Sequence, residues 1–116
     1  MTDTTIFHNP RCSKSRQALA LLEEHGEKPS IREYLTSAPS IEKINFILEK
    51  LDIEPRDLMR KGESEYKDLH LNDKSLSKAE LVKVMHENPR LIERPIVIKN
   101  DKVVIGRPPE NVLTIL

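Results

Sequence analysis

The sequence predicts an α/β fold, and three observations of order and periodicity predict it. A short apolar run, "TTIFH", leads into a turn, a helical repeat and a second extended stretch. Near the other end two β-branched runs, "PIVIK" and "VVIG", flank Asn100 and Asp101. Between these sheet-forming pieces, residues from about 38 to 88 carry helical periodicity. The order is therefore β-α-β, helical insert, β-hairpin, α, within one domain spanning residues 1–116.

Each element has its local reason. Thr4 to His8 reads as a strand, and Asn9 with Pro10 turns the chain. From about Ser13, Ala18, Leu21, Leu22 and His25 follow the i, i+3, i+4, i+7 spacing of a helix, which Gly26 stops. "SIREYL" after Pro29 alternates well enough for a second strand, and strand–helix–strand order implies a right-handed parallel unit. Ile41, Ile44, Ile47, Leu48 and Leu51 make an amphipathic helix opened by Ser40. "EPRDLMRKGESEYKDLHLND" is polar and helix-prone in short pieces. Ser77 and Glu80 form a capping box ahead of Leu81, Val84 and Met85, and that helix should end before Pro89. Asn100 and Asp101 tolerate the positive φ of a tight hairpin turn. "RPPENVLTIL" closes the chain as a short helix with Pro109 at its first position, Glu110 in its first turn, and Val112, Leu113 and Leu116 on one face.

Composition narrows the function classes. Nineteen basic side chains balance nineteen acidic ones, and aromatic residues make up only 3%. Nucleic acid would find neither a basic footprint nor stacking platforms. No apolar run approaches the ~20 residues of a membrane span, and the first ten residues lack a signal peptide's basic start and apolar core. One cysteine cannot form an internal disulfide, so the reducing cytoplasm is the expected location.

That cysteine, Cys12, lies between a strand and a helix with Arg11, Lys14 and Arg16 nearby and no acidic residue from Thr4 to Leu22. It should occupy the N-cap region, where unpaired N–H groups and the positive end of the helix dipole stabilise an anion. Such settings lower a thiol pKa from ~8.5 to roughly 3.5–7.5. His8 and Arg11 are expected to add positive charge, and the same N–H groups suit an oxyanion. The bland alternative is a half-buried cysteine that caps nothing. A loop phosphatase would need arginine six positions after the cysteine, where Ala18 stands, and a dithiol C-x-x-C would need cysteine in place of Ser15. The Ser15 hydroxyl is expected either to donate to the thiolate or to make an ordinary first-turn hydrogen bond. His25, His70 and His86 are isolated, show no metal-ligand spacing and read as surface or partly packed residues, so no metal is expected.

"HNPRCSKSR" resembles the H-N-P-x-C-G-T-S-R motif of the glutaredoxin-dependent arsenate reductase family. "LMRKGE", "ERPIV" and "IGRPPE" resemble that family's later signatures, in the same order, so the likeness covers essentially the whole chain. The resemblance implies a thioredoxin-like core with an inserted helical subdomain. It also implies arsenate reduction, with Cys12 as nucleophile, His8 and Ser15 lowering its pKa, and Arg60, Arg94 and Arg107 binding the oxyanion. Pro95 would correspond to the cis-proline facing the cysteine loop. No bound cofactor is implied. The resemblance further implies glutathione as external reductant and glutaredoxin as protein partner, and a monomer is expected. One departure stands out, since the family's Gly-Thr after the cysteine is Ser13-Lys14 here.

The arginines differ in weight. Arg60 sits in a charge-rich run and taken alone reads as a solvated charge, whereas Arg94 precedes a strand and Arg107 follows the hairpin. An arginine fork matches tetrahedral oxyanions in a way lysine cannot copy. Two rival readings use the same turn: a redox-responsive transcriptional regulator that binds RNA polymerase, and a glutathione-linked oxidoreductase of another substrate. Regulators of that fold commonly carry C-x-x-C, which Ser15 argues against.

Overall fold

The computed structural model describes residues 4–116. The chain forms two compact units, one made of the described residues up to Ser37 together with Arg94–Leu116, the other of Ala38–Glu93.

The first unit is built on a four-stranded sheet of order β2-β1-β3-β4, with β1 at Thr4–Phe7, β2 at Ser30–Arg32, β3 at Ile96–Lys99 and β4 at Lys102–Ile105. β1 runs parallel to β2 and antiparallel to β3, and β3 and β4 form an antiparallel hairpin. Asn100 takes the left-handed conformation in the turn, φ 58°. This is a thioredoxin-like core. In β3 the consecutive residues Ile96, Val97 and Ile98 are all buried, so the strict alternation of a one-faced strand is lost.

Helix α1, Ser13–Glu24, buries Ala18 and Leu22 against Ile6, Val97, Val112 and Ile115. It stops at Gly26, whose φ of +82° suits a residue without a Cβ. His25, expected on the apolar stripe, is exposed, with its Nδ1 2.9 Å from the Leu21 carbonyl oxygen.

Two expected elements come out differently. The second strand is half the length of "SIREYL": after Arg32 accepts the His8 N–H at 2.8 Å, its partner strand turns away at Asn9 and Pro10. Glu33 then starts a bend, its carbonyl accepting from the N–H groups of Thr36 and Ser37. The C-terminal segment, Pro109–Ile115, is a 3-10 helix. Three residues per turn place Pro109, Val112 and Ile115 on the buried side, so Leu113 and Leu116 face solvent.

In the second unit α2, Ile41–Leu51, is capped by the Ser40 hydroxyl accepting from the Lys43 N–H at 3.1 Å. A 3-10 turn at Pro55–Leu58 and the short helix α3, Ser64–Asp68, follow. Then α4, Lys78–Glu87, opens with the reciprocal Ser77–Glu80 capping box and ends ahead of Pro89. Ile44, Ile47 and Leu48 of α2 and Leu81, Val82 and Met85 of α4 are buried where the two helices pack; Val82 takes the fully buried place expected for Val84. Pro89–Glu93 belong to this unit through a bridge between Met59 and Ile92 and a 2.8 Å bond from the Glu93 N–H to the Leu58 carbonyl. Among the described residues no helix is long and apolar enough to cross a membrane.

Candidate active site

Cys12 is the N-cap of α1, with extended backbone at φ −96° and ψ 122°. The turn before it is closed locally: the Cys12 N–H donates to the Asn9 carbonyl at 3.0 Å, and the Arg11 N–H donates to Asn9 Oδ1 at 3.0 Å. The Arg16 N–H then takes the Cys12 carbonyl at 3.0 Å and begins the helix. Cys12 as a residue is 9% exposed, so it is sheltered at the edge of the core.

Burial pushes the Cys12 thiol up. The Ser15 N–H, the Arg94 charge, the Lys14 N–H and the Arg107 charge act the other way, and together they outweigh it, so the pKa lies below its ordinary value. The N–H groups do not close a full capping hydrogen bond with the sulfur, yet they face it closely enough to favour its anion.

Two expectations change at this point. The Ser15 side chain is fully buried, and its oxygen accepts the Asn9 N–H at 3.1 Å and lies 2.6 Å from His8 Nδ1. Its hydroxyl is thus engaged with His8, and Ser15 reaches the thiol through its backbone N–H. Burial, and secondarily Arg16, lower the His8 pKa against the opposing charge of Glu33. The imidazole is therefore neutral at pH 7 and braces the turn through Ser15, where positive charge had been expected. Arg11 and Lys14 are exposed, and the cations that act on the thiol are Arg94 and Arg107.

Arg107 Nη2 lies 3.7 Å from Cys12 Sγ, and its Nε donates to the Arg94 carbonyl at 2.8 Å. Nε and Nη1 of Arg94 are buried and have no hydrogen-bond partner among the described residues. The Arg94-Pro95 bond is cis, as expected for Pro95, and so is Arg107-Pro108. Gly106, whose role the sequence reading passed over, sets the spacing here. Its N–H donates to the Pro95 carbonyl at 2.8 Å, and a Cβ on it would stand 2.8 Å from Pro95 Cγ. The signal was the glycine immediately before Arg107 in "IGRPPE".

The structure thus gathers Cys12, His8, Ser15, Arg94 and Arg107 in the first unit. Arg60 belongs to the second, where its guanidinium pairs with Glu63 at 3.4 Å and Glu93 at 3.9 Å. Of the remaining histidines, His70 is exposed like His25, and His86 is half-buried with Nδ1 2.8 Å from the Pro39 carbonyl oxygen.

The family model for ArsC matches residues 7–115. The chain belongs to the ArsC family. It is 52% identical over 112 residues to an arsenate reductase of Haemophilus influenzae, covering 96% of this chain and 97% of that one. An arsenate reductase of Neisseria meningitidis is 42% identical over 117 residues and covers both chains completely. The solved structure of an arsenate reductase from Vibrio cholerae superposes with a TM-score of 0.96 at 47% identity, over 99% of this chain and 98% of that one. In this ArsC chain Ser13 and Lys14 open α1 as ordinary helical residues, so the turn forms without the glycine of the H-N-P-x-C-G-T-S-R motif.

Proposed function

We propose that this protein reduces arsenate to arsenite through the Cys12 thiolate, with glutathione supplying the second sulfur and glutaredoxin resolving the product. The observation that carries the reading is Arg94. It presents two buried donor nitrogens without partners among the described residues, and its charge acts on a thiol already biased toward its anion. A buried unsatisfied donor costs about 1–3 kcal/mol, and a tetrahedral oxyanion held at the thiol would satisfy it. The names of the relatives support the choice of arsenate.

The Cys12 thiolate attacks arsenic, an S–As bond forms, and one As–O bond breaks with its oxygen leaving as water after protonation. Arg94 and Arg107 stabilise the charge on the arsenate oxygens and on the adduct. A glutathione thiolate then attacks Cys12 Sγ. An S–S bond forms while the S–As pair departs on arsenic, which becomes As(III) and is protonated to arsenite. A further thiol, from glutaredoxin, attacks the mixed disulfide and frees Cys12. Arsenite production from arsenate, glutathione and glutaredoxin, abolished by Cys12→Ser, is the expected result. No turnover by the intact chain under those conditions would reject the reading.

A further inference from the structure

Beside the cysteine turn the first unit carries a cavity of about 270 Å³ that the oxyanion chemistry leaves unused. Its walls are the turn residues 8–11 and Glu33, Leu35 and Thr36 of the bend after β2. Two residues of opposite charge, Arg11 and Glu33, line the one space. The carboxylate makes this a poor seat for arsenate, because like charges repel. A cation and an anion together suit a zwitterion, and the amino-acid end of a small molecule is one. The size also decides something: pockets that enclose a whole drug-sized ligand run to roughly 300–1,000 Å³, so this one holds one end of a ligand and leaves the other outside.

We propose that the cavity seats the amino-acid end of the external thiol, Glu33 taking the ammonium and Arg11 the carboxylate of a γ-glutamyl thiol. This rests on the thiol-dependent reading above and adds the direction from which the second sulfur arrives. Arg11 is the immediate neighbour of Cys12, and consecutive Cα atoms lie about 3.8 Å apart. Cys12 itself does not line the cavity; a γ-glutamyl thiol carries its sulfur several bonds from its charged end, and in this proposal that span bridges the anchored end and Cys12 Sγ. The electron count is unchanged: the S–S bond forms as the S–As pair leaves on arsenic. A plain thiol such as 2-mercaptoethanol can do the same chemistry but has no charged end to anchor.

The test is an NMR titration of the full chain with S-methylglutathione, which binds but cannot react, and with its analogue carrying glutaryl in place of γ-glutamyl, which lacks only the ammonium. The largest shifts should fall on the amides of residues 8, 9, 11 and 33–36. The ammonium-bearing ligand should bind about two- to fivefold more tightly, the worth of one exposed charge pair, and Glu33→Gln should erase that ratio. Shifts centred elsewhere, or equal affinity of the two ligands for the wild-type chain, overturn the subsite. Arsenate turnover with the same KM for glutathione and 2-mercaptoethanol overturns it too, while leaving the proposed reaction standing. The expected titration in a chain that does not turn arsenate over removes the reaction and keeps the subsite.

Discussion

Arg107 Nη2 stands 3.7 Å from Cys12 Sγ although 95 residues separate the two in the chain. The same guanidinium holds the Arg94 carbonyl, so the two cations that favour the thiolate are tied to each other. The cysteine is thus held between a helix N-terminus built from its own segment and charges delivered by the far end of the fold.

The first prediction concerns the reactivity this produces. Alkylation of Cys12 by iodoacetamide should reach half its plateau rate at a pH below the free-cysteine value of ~8.5. Arg94→Gln should move that midpoint upward more than Arg107→Gln, because the Arg94 charge acts more strongly on the thiol. A wild-type midpoint at or above 8.5 would show that burial wins over the charges.

The arginine fork can be separated from the arginine charge. Arg94→Lys and Arg107→Lys retain a cation but lose planar donor geometry. Hydrogen bonds to charged groups are worth about 1.5–3 kcal/mol, so kcat/KM for arsenate should fall roughly ten- to a hundredfold. Arg60→Lys should fall less, since Arg60 is already engaged by Glu63 and Glu93. Steady-state kinetics with arsenate as varied substrate decides, and full activity in both Arg94→Lys and Arg107→Lys would count against their assignment.

What the sequence made legible was local. The N-cap of α1, the Ser77–Glu80 box and the Asn100 turn each depend on residues within a few positions, and each stands as read. What it hid depends on partners elsewhere. The length of β2 is set by where β1 turns away, which no alternation in "SIREYL" records. The apolar residues of the C-terminal segment fit a period of 3.6 as well as one of 3.0, and only packing against α1 selects the latter. At the site, nearness in sequence misled. Arg11 and Lys14 flank the cysteine with exposed side chains, while Arg94 and Arg107 supply the charge.

Ser15 offers a test of how the turn is braced. Ser15→Ala removes the acceptor of the Asn9 N–H, in a partly buried setting, and the partner of His8 Nδ1, in a buried one. The loss should cost about 1–3 kcal/mol, read as a lower urea midpoint. The alkylation midpoint of Cys12 should move little, because the Ser15 N–H that faces the sulfur remains. A large upward move would mean that the hydroxyl itself donates to the thiolate.

Glu27 makes the fold sensitive to acid. One of its oxygens accepts the Thr4 hydroxyl at 2.6 Å and the other the Lys99 ammonium at 3.0 Å, joining β1, the loop after α1 and β3. The Thr4 hydrogen bond first, then that of Lys99, hold its carboxyl below the ordinary 4.5. A carboxyl depressed on folding stabilises above its unfolded pKa, and that contribution disappears as pH falls through the folded value. Stability should therefore drop from about pH 4.5 downward. Glu27→Gln should be less stable at pH 7 and show a flatter acid limb in urea denaturation series. Parallel curves for the two proteins would rule Glu27 out as the source.

The last prediction follows from counting sulfurs. Reduction of As(V) to As(III) takes two electrons, and thiols supply two only when two sulfurs become joined. This chain has one thiol, Cys12, and the thioether sulfurs of its three methionines cannot serve. The second sulfur must come from outside, so turnover with glutathione and without glutaredoxin should leave Cys12 in a mixed disulfide. Exchange at a sulfur requires access to it, so the proposed reaction requires a small thiol to reach Cys12, which as a residue is 9% exposed. Intact-mass spectrometry during such a reaction should find the chain carrying one added glutathione, with none on Cys12→Ser. Adding glutaredoxin should return the unmodified mass and restore multiple turnovers. Arsenite at full yield with no external thiol present would mean the electrons come from somewhere other than a Cys12 disulfide, and the proposed reaction would fall with it.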